Sequence, residues 1–93
     1  MKLQEIEEKF NIRIGQIPVV EEALMDIFGN INYRKYPKDW TKREYVYTCE
    51  TDEGYSGNEI ITRKQYRTRK EALEGLLLEN IHNNKIKEIV NTL

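Results

Sequence analysis

Apolar positions recur at helical spacing in several stretches of this chain and alternate in others. Leu3, Ile6 and Phe10 predict a short N-terminal helix of about two turns, and Ile12 and Ile14 suggest a brief extended piece after it. The segment Pro18–Gly29 is the clearest helix of the first half, with Val20, Leu24, Ile27 and Phe28 on one face. Pro18 suits a first turn, where its missing N–H has no partner to lose. Glu21 and Glu22 are expected to complement the positive end of the dipole, and Gly29-Asn30 to supply a left-handed residue that ends the helix.

The period then changes. Glu44–Glu50 alternates, with Tyr45, Tyr47 and Cys49 on one face and Val46 and Thr48 on the other, which predicts a strand. Thr51–Gly57 reads as a turn, and Asn58–Tyr66, with its β-branched Ile60-Ile61-Thr62 centre, as the returning strand of a hairpin. A third strand is possible over 31–36. Pro37 bars it from a central position, so Pro37–Lys42 is read as a loop.

Thr68-Arg69-Lys70-Glu71 has the form of a capping box, with the Glu71 carboxylate reaching back to the N–H of Thr68. Ala72, Leu73, Leu76 and Leu77 should lie on the sheet, with Gly75 marking a close approach of helix and strand. His82-Asn83-Asn84 breaks the pattern, and Ile86, Ile89, Val90 and Leu93 resume it in a last short helix. That helix must dock, either on the core or on a second copy in a homodimer. The expected fold is a single α+β domain over 1–93: a small two- to three-stranded antiparallel sheet with helices on one face and the order α-α-β-β(-β)-α-α.

Composition adds limits. The 93 residues are 39% hydrophobic and 33% charged, enough for one modest core. Cys49 is the only cysteine, so no disulfide can form within the chain, and a reducing, cytoplasmic setting is expected. The acidic start lacks the apolar run of a signal peptide, and no stretch reaches the roughly 20 apolar residues that span a bilayer. The net charge of −1 conceals a division. Residues 33–70 carry ten Lys/Arg against six Asp/Glu, while the flanking segments are both acidic. The positive charge sits where the strands are.

Candidate chemistry follows that charge. Tyr36, Trp40 and Arg43 precede the first strand, and Arg63, Lys64, Arg67 and Arg69 surround Tyr66 and the next helix start. Paired as a hairpin, the two groups would meet at its open end, where cations hold phosphates and aromatics stack or anchor. His82 is the only histidine and has no partner at metal-ligand spacing, and Cys49 reads as a buried strand residue. The acids around Asp52 lack a calcium-loop pattern, and Gly54 and Gly57 do not stand between a strand and a helix as a phosphate loop requires. No nucleophile–base pair, cofactor motif or metal set can be nominated, so neither an enzyme nor a cofactor is expected.

The stretch from Trp40 to Leu78 is loosely similar to the arm-type DNA-binding domains of tyrosine recombinases. There an aromatic, basic hairpin leads into a helix opening Thr-Lys-Lys-Glu-Ala, comparable with Thr68-Arg69-Lys70-Glu71-Ala72. The similarity covers under half of the chain. Those domains usually open their chains, whereas here a helical stretch precedes the match. The expected function is a non-enzymatic protein-interaction module, a small adaptor or inhibitor of the kind mobile elements encode, with a protein partner and no membrane. The alternative is a nucleic-acid-binding accessory protein that contacts phosphates through the hairpin end and helix start.

Overall fold

A 3₁₀ turn, Ile14–Gln16, leads into helix α1, Ile17–Phe28. The computed structural model describes Ile12, residues 14–52 and residues 59–92. The helix expected around Leu3, Ile6 and Phe10, the turn residues 53–58 and Leu93 lie outside the described residues. Ile14 opens the 3₁₀ turn instead of an extended piece, because tightened turns commonly start helices. Pro18 falls in the first turn of α1 as expected. Glu21 and Glu22 do not, since α1 begins one residue before Pro18 and leaves its first turn without acids. Gly29 closes α1 with a φ of +86°, and a Cβ there would press on the backbone of Asp52.

Strand β1, Ile31–Asp39, pairs antiparallel with β2, Glu44–Thr51, from Ile31↔Thr51 to Asp39↔Glu44. The regular hairpin therefore joins β2 to the segment before it. The loop expected over Pro37–Lys42 shrinks to a turn, Trp40–Arg43, and Pro37 lies within β1 opposite Tyr45. Register explains why this is possible. Tyr47 exchanges both backbone bonds with Tyr66 on the far side of β2 (2.7 and 2.9 Å), and Cys49 and Thr51 also bond that way. Their β1 partners Lys35, Tyr33 and Ile31 hence turn their N–H and C=O groups away from β2. Pro37 continues this series, so its missing N–H would have faced the open edge.

Residues 59–66 do not form the strand expected over 58–66. They touch β2 locally, through bridges Glu50↔Ile61 and Tyr47↔Tyr66. Thr62 N–H donates to the Cys49 carbonyl and Tyr66 to that of Tyr47, so four residues stand against two. Arg63, Lys64 and Gln65 are thrown out as a bulge.

Helix α2, Arg69–Glu79, packs chiefly on β2, and α3, Asn84–Asn91, packs against α1. The Thr68 side chain accepts from the N–H of Glu71 (3.1 Å), but the Glu71 carboxylate reaches one residue further back than expected, to the N–H of Arg67 (3.2 Å). Asn83 caps α3 by accepting from Lys85 N–H (2.9 Å). The core gathers Val20, Leu24 and Phe28 of α1, Cys49 of β2, Ala72, Leu73, Leu76 and Leu77 of α2, and Ile86, Ile89 and Val90 of α3. The architecture is a small α+β fold, with helices covering one face of a two-stranded antiparallel sheet. Among the described residues, no helix is long and apolar enough to cross a membrane.

Candidate functional site: the outer face and tip of the hairpin

The turn between β1 and β2 is held by Asp39. Its carboxylate accepts from the N–H of Thr41 (2.9 Å) and from its hydroxyl (2.6 Å). Those bonds keep Asp39 ionised below the usual carboxylate range. Arg43 completes the turn with a φ of +53°, a left-handed conformation that costs a side-chain-bearing residue roughly 1–2 kcal/mol. At the tip, Trp40 is 79% exposed.

Alternation along the strands sends Asn32, Arg34, Tyr36, Val46, Thr48 and Glu50 to the face away from the helices. Arg34 and Glu50 form an ion pair there, and Glu50 with Tyr36 keeps the guanidinium firmly charged. Tyr36 faces Val46 across the ladder and is 40% exposed. Val46 in turn borders Arg67, which follows the Tyr47↔Tyr66 pair. Lys38, Glu44, Tyr45, Val46 and Arg67 line a shallow groove of about 450 Å³ here. At the other end of the sheet Ile61, paired with Glu50, is 53% exposed.

The bulge has its own clamp. The Glu79 carboxylate, at the end of α2, accepts from the N–H of Arg63 (2.6 Å), the N–H of Lys64 (3.5 Å) and the Tyr66 hydroxyl (2.6 Å). Tyr66 reaches Glu79 by crossing α2 at Gly75, where a Cβ would overlap its ring. Arg63 lines a separate depression of about 410 Å³ with Ile61, Glu79, Asn80 and His82. Among the described residues, no group of three or more His, Cys, Asp or Glu side chains could hold a metal ion.

The seven residues singled out in the sequence thus fall into three places. Trp40, Tyr36 and Arg43 share the hairpin, and Arg67 lies beside it across the groove. Arg63 and Lys64 ride on the bulge. Arg69 turns to the helix side, its guanidinium 5.8 Å from the centre of the Tyr33 ring. Of the tyrosines, Tyr33, Tyr47 and Tyr66 are half-buried against the core, so the open face is less aromatic than the sequence suggests. Glu79 did not stand out in the sequence, because it acts only through contacts distant along the chain.

Two acids on the core side of the sheet, buried Cys49 and half-buried Tyr33, carry shifted ionisation. Burial, reinforced by Glu21 and Glu50, pushes the Cys49 thiol up to about 12. Burial, then Cys49 and Glu21, raises the Tyr33 hydroxyl, which donates to the Glu21 carboxylate (3.0 Å). Both groups stay protonated, and the thiol is a poor nucleophile. Comparisons with protein-family models, curated proteins and solved structures gave no match for this chain.

Proposed function

We propose that the chain is a non-enzymatic protein-interaction module, of the small adaptor or inhibitor type, whose contact surface is the outer face and tip of the β1–β2 hairpin. The observation that carries the proposal is Trp40, the most exposed large apolar side chain among the described residues, set on a turn fixed by Asp39 and Thr41. Covering such a ring contributes roughly 4 kcal/mol of burial. Tyr36 and Val46 extend the apolar surface along the hairpin, and Lys38, Glu44 and Arg67 border it in the groove beside Val46, the arrangement in which aromatic and arginine residues anchor a partner. Arg43 supports the reading from another side. A left-handed turn position favours Gly or Asn, and a strained Arg there points to use of its side chain.

The test is affinity capture from extracts of the source cell, with wild-type protein and with Trp40→Ala, which leaves the core untouched. A discrete protein retained by the first and lost by the second is the expected result. Equal retention by both removes Trp40 from the interface.

The nucleic-acid reading rests on Lys38 and Arg67, which flank the Tyr45 and Val46 wall of one groove. It predicts binding to random-sequence DNA or RNA that falls steeply between about 50 and 200 mM salt and weakens in Arg67→Ala. No binding at the lower salt retires it.

A further inference from the structure

We propose that the free edge of β1, over Ile31–Lys35, takes up an extended acidic segment of a partner protein by strand addition; this rests on the protein-interaction reading above and names the partner's chemistry. The Tyr47↔Tyr66 bonds fix which backbone groups are available. Every second residue of β1 must face away from β2, which leaves the N–H and C=O of Ile31, Tyr33 and Lys35 directed outward. Among the described residues, no backbone bond joins these groups to any other element. A strand laid there gains main-chain bonds at both Tyr33 and Lys35 and stops at Pro37, which offers a carbonyl but no N–H.

Charge selects the occupant. Arg34, Lys35 and Lys38 outnumber Asp39 along β1; Asp39 is occupied by Thr41, and the Arg34 guanidinium, paired through one nitrogen with Glu50 across the ladder, stays 62% exposed with further N–H donors to offer. A second copy would set one basic strand beside another at a spacing of about 4.8 Å, whereas an acidic strand meets the Arg34 cation on the outer face and ends near Lys38, in the register shift just past Pro37. The helix-side face of the same edge presents Ile31 and the half-buried Tyr33 ring. The fitting segment therefore alternates: acidic side chains outward beside Arg34 and toward Lys38, apolar side chains inward beside Ile31 and Tyr33.

The probe is a blocked heptapeptide of alternating Val and Glu, titrated to roughly 1 mM into isotope-labelled protein and followed by amide shifts and exchange. Two comparison peptides replace Glu by Lys or N-methylate every second amide. Binding of the Glu peptide alone, with new protection of the Ile31, Tyr33 and Lys35 amides, is the expected result. The variant Lys35→Pro removes an N–H that lies outside the β1–β2 ladder and should weaken the complex about tenfold, while Lys35→Ala weakens it less. The N-methylated peptide tests the same bond without altering the protein. No protection at these three amides, equal binding of the Lys peptide, or concentration-dependent protection without any peptide (a second copy at the edge) overturns the inference. A partner lost on Trp40→Ala but bound equally by wild type and Lys35→Pro overturns the edge while leaving the hairpin tip as the interface.

Discussion

The two flanks of β2 are held by different means. On one side β1 pairs from Ile31 to Pro37 and again at Asp39, past a register shift at Lys38, and relies on backbone bonds within a single hairpin. On the other, residues 60–66 touch β2 at three points, where four backbone bonds are supplemented by side chains: Thr51 accepting from Ile60 N–H (3.0 Å), Thr62 accepting from Cys49 N–H (3.1 Å), and Glu79 collecting the bulge. The contrast teaches where single substitutions matter. A ladder tolerates changes on its open face because its bonds belong to the main chain, so β1 and its tip are free to carry a contact surface. The irregular flank has no such redundancy. Its bulge is tied through Glu79 to α2, which supplies the middle of the core.

The sharpest test of this contrast is Gly75→Ala. In an exposed helix Ala would gain about 1 kcal/mol over Gly. Here the new methyl meets a Tyr66 ring pinned by its backbone bonds to Tyr47 and its hydroxyl bond to Glu79, so a net loss of about 3 kcal/mol is expected in urea unfolding. Unchanged or raised stability would show that the Tyr66 flank can yield.

Glu79→Ala comes next. It strips the acceptor from two bulge N–H groups and from Tyr66, and should cost about 2 kcal/mol by the same measurement. The bulge is solvent-exposed, so water replaces part of what is lost.

Alkaline pH offers a milder probe that reaches both flanks. The folded state holds the Cys49 proton more tightly than the ordinary value of 9.0 allows, and burial likewise raises the Tyr33 and Tyr66 hydroxyls above theirs. Because these folded values are raised, the stability linked to them is complete below pH 9 and is lost as pH climbs from about 9 through 12. The unfolding midpoint should hold steady from neutral pH to about 9 and fall beyond it, with the earliest part of the fall absent in Cys49→Ala.

The smallest effects are expected on the hairpin. Arg43→Gly should stabilise by about 1 kcal/mol by removing the left-handed strain, and Trp40→Ala should stay within about 0.5 kcal/mol of wild type. Thermal unfolding checks both. A large loss from Trp40→Ala would mean that the ring supports the fold and is not held out for a partner.

Much of the helical half could be read from the sequence because its signals are local. The apolar faces of α1, α2 and α3, the Thr68 cap and the close approach at Gly75 each follow from residues within a turn or two of one another. Glu44–Glu50 was equally plain, as alternation alone identifies a half-buried strand. The hairpin assignment was not plain. A proline in an extended run looks like a stop, and only the register of β2 with Tyr66 reveals that Pro37 stands where no N–H is needed. Conversely, Ile60-Ile61-Thr62 has strand-forming residues but ends in a bulge, because Glu79 competes for the amides of Arg63 and Lys64 from 16 and 15 residues away. Of the candidate site, Trp40 and Tyr36 proved open to solvent, whereas Arg69 lies against Tyr33 on the helix side.

Hydrogen exchange of the free protein, resolved by amide, tests the account most directly. Asn32, Arg34 and Tyr36, whose N–H groups enter the ladder, should exchange slowly, while Ile31, Tyr33 and Lys35 exchange far faster in strict alternation. Uniform protection along β1 would mean that its outer edge is already covered, and both the open hairpin and the strand-addition site would fall with it.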